Sequence, residues 1–174
     1  MTDKQKALID ELIAALPQSD KVAYEKIIGG IVVLGYIPQK NRSYLSFKHK
    51  TNGKIIAKIR SGDIRIKFFA CKNVPEKYVD ALRTEAEATG NQHSLPVPQP
   101  DSTPLPAGVI MKKCTLQCKI CTGGGMRYYH KFPDGKEIFR CGAYPVSIPD
   151  IGEGDIADVQ CLISEQHSYF LSIT

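Results

Sequence analysis

The stretch that decides the fold runs from Tyr44 to Phe69 and reads YLSFKHKTNGKIIAKIRSGDIRIKFF. Apolar and polar residues alternate in three successive runs, which are separated by the glycine-containing pairs Asn52-Gly53 and Ser61-Gly62. Alternation with a period of two is typical of strands with one buried face, and Asn-Gly favours a tight hairpin turn because both residues tolerate positive φ. The stretch therefore predicts a three-stranded antiparallel meander with one apolar face and one basic face.

Apolar residues at helical spacing flank the meander on both sides. Residues 4–16 and a second segment from about residue 19 to 34 predict two N-terminal helices. Gly29-Gly30 weakens the second helix by about 1 kcal/mol per glycine relative to alanine, so a break there is one expectation. Pro75 suits the first turn of a third helix, since its missing N–H has no partner at that position. Asp155 suits the cap of a last helix that ends near residue 171.

A proline-rich stretch separates the two halves of the chain. Residues 89–109 contain five prolines, at positions 96, 98, 100, 104 and 106. Proline lacks the backbone donor and the freedom in φ that regular helix and sheet require. We interpret the stretch as an extended, partly stiff connector. A domain boundary and a long crossover strapped across one domain are both compatible with it.

The second half repeats the pattern of the first. Residues 128–132 and 136–141 predict two strands joined at Asp134-Gly135, and residues 144–148 predict a third. The fold class predicted for the chain is α+β: N-terminal helices, an antiparallel meander plus helix, then a cysteine-rich loop with a hairpin, a third strand and a C-terminal helix. Two independent hairpin-plus-helix units and a pseudo-twofold repeat with one combined sheet both fit this order.

The predicted domain organisation follows from these elements. Residues 1–88 form an α+β domain with a basic sheet face, residues 89–109 form the connector, and residues 110–174 form a region with the cysteine cluster, the hairpin and the last helix.

Positive charge is concentrated in the first half. The 174-residue chain carries a net charge of +5, and between Lys40 and Lys72 only Asp63 opposes the basic residues. The basic residues expected on the outer face of the meander are Lys48, Lys54, Lys58, Arg60, Arg65 and Lys67, with the aromatic residues Tyr44 and Phe69. Such a face binds single-stranded nucleic acid when cations meet phosphates and bases stack on rings. Two alternatives to nucleic-acid binding are open. The basic residues would protect the sheet from aggregation, or they would form a site for a small anion.

Four cysteines form the second candidate site. Cys114, Cys118 and Cys121 are separated by three and two residues, and Cys141 ends a predicted strand that returns toward them. Thiolates at such spacing converge on one ion, and four sulfurs complete a tetrahedral zinc site. The sequence therefore predicts a structural Zn²⁺ ion on these residues. His130 is an alternative fourth ligand.

Other chemistry is compatible with the same cysteines. The C-x3-C-x2-C spacing resembles the iron–sulfur motif of radical S-adenosylmethionine enzymes, although the chain after Cys121 is too short for their large barrel. The Cys118 and Cys121 pair has the spacing of a redox disulfide, and Lys119 would stabilise a thiolate there. Unliganded thiols, without any cofactor, are the last alternative.

The remaining signals concern location and catalysis. No apolar run reaches the roughly 18 residues that a membrane span needs, and the N-terminus lacks a secretory signal. We therefore expect a cytoplasmic protein without a membrane partner, in which cysteines are thiols or metal ligands. No phosphate-binding loop and no nucleophile elbow is present, and the four histidines are scattered. The sequence nominates no catalytic residue and favours a protein that is not an enzyme.

Two stretches resemble small uncharacterised bacterial proteins of unknown function. The first begins at Leu34 with LGYIPQKNRSYLSFKHKTNGKIIAKIR and continues to Cys71, and the second is YYHKFPDGKEIFRCGAYPVSIPDI, from Tyr128 to Ile151. The resemblance implies that both halves belong to one protein of bacterial origin. It implies no activity.

Three functions follow as hypotheses. The first is a noncatalytic binding or accessory protein with a structural zinc site. The second is a module that binds nucleic acid through the basic sheet face. The third is a small-molecule sensor or enzyme with a groove between the two halves, lined by aromatic residues such as Tyr36, Tyr128 and Tyr144.

Overall fold

A computed structural model describes residues 1–88, 111–113, 126–132, 135, 137–148 and 150–173. The helices among them are α1 (Asp3–Ala14), α2 (Gln18–Val33), α3 (Glu76–Ala88) and α4 (Ile156–Ser172). The strands are β1 (Tyr36–Asn41), β2 (Tyr44–His49), β3 (Ile55–Arg60), β4 (Asp63–Ile66), β5 (Met111–Lys113), β6 (Met126–Lys131), β7 (Glu137–Cys141) and β8 (Val146–Ile148). The α+β class predicted from the sequence is confirmed.

The strands form two antiparallel sheets in two compact units. The larger unit contains residues 1–68 and 145–174, and its five-stranded sheet has the order β1-β2-β3-β4-β8. The smaller unit contains residues 69–144, and its three-stranded sheet has the order β5-β6-β7. The larger unit is therefore built from both ends of the chain. The boundaries of these units differ from the predicted domain boundaries at residues 88 and 110. The predicted connector, residues 89–109, lies outside the described residues.

The predicted meander is present as β2, β3 and β4, and its alternation decides which face is buried. The registers align Leu45, Ile59 and Ile64 across the three strands, and all three are buried. Strand β1 adds an edge strand that the sequence analysis did not predict. It contains Pro38, which a sheet accepts at an edge because the missing N–H has no partner to lose on the open side.

Strand β8 pairs with β4 and not with the C-terminal hairpin. Ile64 lies opposite Ile148, and Ile66 lies opposite Val146. The hairpin, the third strand and the last helix are all present, but the pseudo-twofold alternative is not formed, because the described strands make two sheets and not one combined sheet. The reason is physical: alternation predicts that a strand exists, while its partner is set by which buried surface it completes.

Helix α2 continues without a break through Gly29-Gly30. A Cβ atom at Gly30 would lie 3.3 Å from Nε2 of Gln160 in α4, and that amide donates a hydrogen bond to the carbonyl of Lys26 at 3.0 Å. The glycine thus permits the close approach of α4. Tertiary packing of this kind outweighs the low helix propensity of glycine.

The core of the larger unit lies between its sheet and the helices α2 and α4. Its fully buried side chains include Ile27, Ile31, Phe47, Ile59 and Val159. The smaller unit packs α3 on its sheet, with Tyr78 and Leu82 buried.

The hairpin between β6 and β7 closes at Gly135. This residue has a φ of +84° and donates its N–H to the carbonyl of Phe132 at 2.9 Å. A positive φ is favourable for glycine, so this residue fits the turn predicted at Asp134-Gly135, of which only Gly135 is described.

Candidate functional site

Cys141 is the described member of the predicted zinc cluster. It is the last residue of β7, lies opposite Arg127 of β6, and is a half-buried free thiol. Cys114, Cys118 and Cys121 lie outside the described residues. Among the residues that the structure describes, no three His, Cys, Asp or Glu side chains are grouped so that they could hold a metal ion.

The strand register fixes the sheet end at which Cys141 lies. Lys113, the last residue of β5, lies opposite Met126, the first residue of β6. The segment 114–125, which carries the other three cysteines, therefore joins two paired residues at this end of the sheet.

Cys141 belongs to the same sheet end. It pairs with Arg127, the residue directly after Met126, and is two strands away from Lys113. At the usual spacing of about 4.8 Å between strands, the backbones of Lys113 and Cys141 are about 10 Å apart. Cys114 follows Lys113 in the sequence, and segment 114–125 itself lies outside the described residues.

His130 is less well placed for a shared ion. This residue belongs to β6 and lies opposite Ile138 of β7. It is three residues away from Arg127, which corresponds to about 10 Å along a strand. Its imidazole packs against the ring of Phe132 at 4.5 Å. Burial and the nearby Arg83 guanidinium lower the pKa of His130, so the ring is neutral near pH 7. The geometry favours Cys141 over His130 as the fourth ligand.

The outer face of the five-stranded sheet is polar and contains part of the predicted basic surface. Ser46, Lys58, Arg65 and Ser147 are neighbours across four strands in register. Arg60 lies opposite Asp63 in the adjacent row.

Asp63 forms the centre of this face. Its carboxylate accepts hydrogen bonds from the hydroxyl of Ser147 at 2.6 Å, the hydroxyl of Tyr44 at 2.7 Å and Nε of Arg65 at 2.9 Å. Arg60 forms an ion pair with it at 3.5 Å. Burial raises the pKa of this carboxyl group, but the hydrogen bonds that it accepts outweigh burial and hold the pKa below its usual range.

The Asp63 network also engages the aromatic residue of the face. The guanidinium groups of Arg60 and Arg65 lie 4.7 and 5.3 Å from the centre of the Tyr44 ring. Burial and the hydrogen bond to Asp63 raise the pKa of Tyr44, so its hydroxyl stays a donor. Of the six basic residues expected to contact nucleic acid, Arg60 and Arg65 therefore interact with Asp63, as does the aromatic residue Tyr44.

The other predicted contacts fall into two groups. Lys48 and Lys54 flank the Asn52-Gly53 turn, and Lys58 lies on the sheet face; none of these three lysines forms an ion pair with another described residue. Lys67 follows the end of β4, and its ammonium group lies 6.0 Å from the ring of Phe170 in α4.

Phe69 is separate from the basic face. It belongs to the smaller unit, is buried, and packs edge-to-face on Tyr128 at 5.8 Å. It is therefore not available for stacking on a base in this conformation.

A cluster that the sequence analysis missed joins Tyr36, His49 and His167. The Tyr36 ring lies 5.0 Å from the His49 ring and 5.6 Å from the His167 ring, and the two imidazoles are 5.5 Å apart. Nδ1 of His167 lies 3.2 Å from the hydroxyl oxygen of Tyr36, which is 131 positions away in the chain. No local pattern links residues so far apart, so the cluster had no sequence signal.

Hydrogen bonds occupy one nitrogen of each imidazole in this cluster. Burial raises the pKa of Tyr36 far above its usual value, so the phenol keeps its proton, and the tautomer of His167 sets which of the two groups donates. Burial and the neighbouring His49 lower the pKa of His167, which favours the neutral ring. Nδ1 of His49 accepts from the backbone N–H groups of Thr51 and Asn52, both at 3.4 Å. The cluster connects β1, β2 and α4.

The tyrosines expected to line a ligand groove differ in exposure. Tyr36 and Tyr128 have no exposed surface, and Tyr144 is 48% exposed. The first two are therefore closed to a ligand in this conformation.

Comparisons with protein-family models, with curated proteins and with solved structures gave no match. In the described part of the chain, no helix combines the length and the apolar character that crossing a membrane requires.

Proposed function

We propose that the protein is a noncatalytic binding or accessory protein, in which a structural Zn²⁺ ion stabilises the smaller unit. Its ligands would be Cys114, Cys118, Cys121 and Cys141. The observation that supports this proposal is the strand register, which gives Cys141 the same sheet end as the start and the finish of the cysteine-rich segment. Thiolate ligands require a reducing compartment, so the proposal includes the cytoplasm.

A metal ion has a clear physical role at this position. The segment 114–125 contains three cysteines, three glycines and few large apolar residues, so it has little surface to bury in a core. Short segments of this kind gain stability from a metal because the bonds to the ion replace missing apolar packing. Four thiolates give a closed tetrahedral site without an open position for a substrate, which is typical of structural zinc.

Elemental analysis of the purified full chain tests this proposal. We expect one zinc per chain, loss of that zinc in C118S and C141S, and a lower melting temperature in both variants. C161S is the matched control, since Cys161 is exposed on α4, and it should retain zinc and stability.

Two results would contradict the zinc assignment. The first is an unchanged zinc content in C141S, which would remove Cys141 from the site. The second is iron with visible absorption bands in place of zinc, which would favour the iron–sulfur alternative.

Binding of single-stranded nucleic acid is the second candidate function. The observation that favours it is that Lys48, Lys54 and Lys58 have no ion-pair partner among the described residues. The Asp63 network reduces the share of Arg60 and Arg65 in such binding, because the carboxylate already neutralises part of their charge. Phosphate contacts made by the three lysines would be independent of base sequence.

Fluorescence anisotropy with a labelled single-stranded oligonucleotide measures this activity. We expect affinity that falls steeply as salt increases, and a weaker salt dependence in K58E because one phosphate contact is lost. K26E makes the same charge change on exposed helix surface and should have a smaller effect. Absence of binding at low salt, or equal loss in both variants, would contradict the function of this face.

A further inference from the structure

Helix α1 is anchored at its start but poorly covered along its length. Thr2 and Gln5 form a capping box. The backbone N–H of Thr2 donates to Oε1 of Gln5 at 2.9 Å, and the backbone N–H of Gln5 donates to Oγ1 of Thr2 at 3.4 Å. The helix has an apolar stripe, yet none of its residues is fully buried. Helices α2, α3 and α4 each bury at least five side chains. Helix α1 thus leaves apolar surface that the described part of the chain does not cover.

The uncovered surface forms a groove between α1 and α2. A cavity of about 440 Å³ opens there. Its apolar walls are formed by Met1, Ile9, Ile13 and Ala14 on one side and by Ile28, Gly29 and Val32 on the other. A Cβ atom added at Gly29 would meet nothing within 4 Å, so the floor of the groove is open at this residue. Cavities of this size hold ligands or the anchoring side chains of a partner.

Charge at the groove indicates what it would accept. Its lining contains the carboxylates of Asp10 and Glu25 and also Met1, which carries the N-terminal ammonium group, so negative charge is in excess by one. Both carboxylates are on exposed residues, and neither forms an ion pair with another described residue. An occupant with cations beside its apolar surface would pair with both carboxylates, whereas an acidic occupant would meet like charge.

We propose that this groove binds an amphipathic helix of a partner protein, with an apolar stripe flanked by basic side chains. The walls contain residues four positions apart on each helix, Ile9 with Ile13 and Ile28 with Val32, so each pair lies on one face of its helix. A helix with apolar residues at positions i, i+3, i+4 and i+7 places a row of side chains into an apolar groove. The groove lining shares no residue with either of the candidate sites described above.

The probe for this proposal is a synthetic helix of leucine and lysine with the apolar residues on one face, and its control is the same peptide with glutamate in place of lysine. Binding to the isotopically labelled full chain is followed by backbone amide shifts in nuclear magnetic resonance. We expect the lysine peptide to shift amides of α1 and α2 and the glutamate peptide to leave them unchanged.

Two variants locate the binding. G29L fills the open floor of the groove without a steric clash and should weaken the lysine peptide at least tenfold. G154L is the matched control, because a Cβ at Gly154 also meets nothing within 4 Å and Gly154 is not a residue of the groove lining. E25K should weaken the same peptide severalfold and admit the glutamate peptide.

Each other outcome overturns the proposal. Equal binding of both peptides, or binding that G29L leaves unchanged, would indicate nonspecific association. Dimerisation of the full chain that G29L abolishes would assign the groove to a second copy. Failure of the lysine peptide to bind, together with a lower melting temperature of G29L, would indicate that the chain itself fills the groove.

Discussion

The two units differ in the contacts that the structure shows within them. In the larger unit, apolar side chains of the sheet and of helices α2 and α4 form a buried core that includes Ile27, Phe47 and Val159. Each fully buried large apolar side chain contributes about 1.5–3 kcal/mol relative to an exposed one. The larger unit therefore has the means to be stable through packing alone.

In the described part of the smaller unit, charged and aromatic contacts connect helix α3 to β7 and to Phe132. Arg140 forms an ion pair with Glu85 at 2.5 Å, and their side chains are only 14% and 19% exposed. The guanidinium of Arg83 lies 3.7 Å from the centre of the Phe132 ring. The zinc ion proposed above would add a further constraint to the same unit.

Removal of metal is the strongest way to break this comparison. We expect a zinc chelator to increase amide hydrogen exchange throughout β6 and β7 while β2, β3 and β4 keep their protection. The effect should be the largest of all, because structural zinc contributes about 10 kcal/mol or more to folding in small zinc domains. Equal loosening of both sheets, or no change in either, would show that the contrast is wrong.

A core truncation tests the other side of the comparison. Phe47 has no exposed surface and lies between Pro38 and Ala57 on neighbouring strands. F47A should lower the free energy of unfolding of the larger unit by about 3–5 kcal/mol, since it removes packing and leaves a cavity. Urea unfolding followed by signals of β2 and β3 measures this loss. A loss below about 1 kcal/mol would contradict a tightly packed core at this site.

Ion pairs should be coupled more strongly in the smaller unit. In a double-mutant cycle we expect a coupling energy of about 1–2 kcal/mol between Arg140 and Glu85, because both side chains are mostly withdrawn from water. The Arg60–Asp63 pair of the larger unit is the reference, since Arg60 is 46% exposed and the separation is 3.5 Å. Its coupling should stay below about 1 kcal/mol. The reverse order of the two values would overturn the comparison.

The smallest expected effect concerns pH and the Tyr36 cluster. The pKa of His167 is lower in the folded protein than the usual value of about 6.5, so the unfolded chain binds the proton more readily. The stability due to the neutral ring is complete above about pH 6.5 and decreases as the pH falls toward the folded pKa. H167Q should remove this decrease from the unfolding of the larger unit. An identical pH profile in the variant would show that His167 has no part in it.

Local patterns in the sequence were sufficient for most elements. The meander, the four helices and the hairpin of β6 and β7 follow from periodicity and turn residues, which act over a few positions. Strand β1 was missed because Pro38 is unfavourable in a strand unless that strand lies at an edge, and edges are not visible in sequence.

Long-range contacts could not be predicted in the same way. The hydrogen bond between Ser147 and Asp63 spans 84 positions, and it depends on the pairing of β8 with β4. The sequence analysis treated Arg60 and Arg65 as cations available to a ligand. In the structure both form ion pairs with the buried carboxylate of Asp63. The zinc site stays a prediction whose geometry rests on Cys141.

The pairing of β8 with β4 has a consequence for synthesis on the ribosome. The smaller unit lies within residues 69–144, so its complete sequence emerges before the larger unit has received β8 and α4. A domain made of one continuous segment can fold as it leaves the exit tunnel, whereas a domain interrupted by another unit stays incomplete until its second segment has been synthesised. The unit whose synthesis starts first is thus the last to finish, and during that interval β4 presents an unpaired edge to the cell.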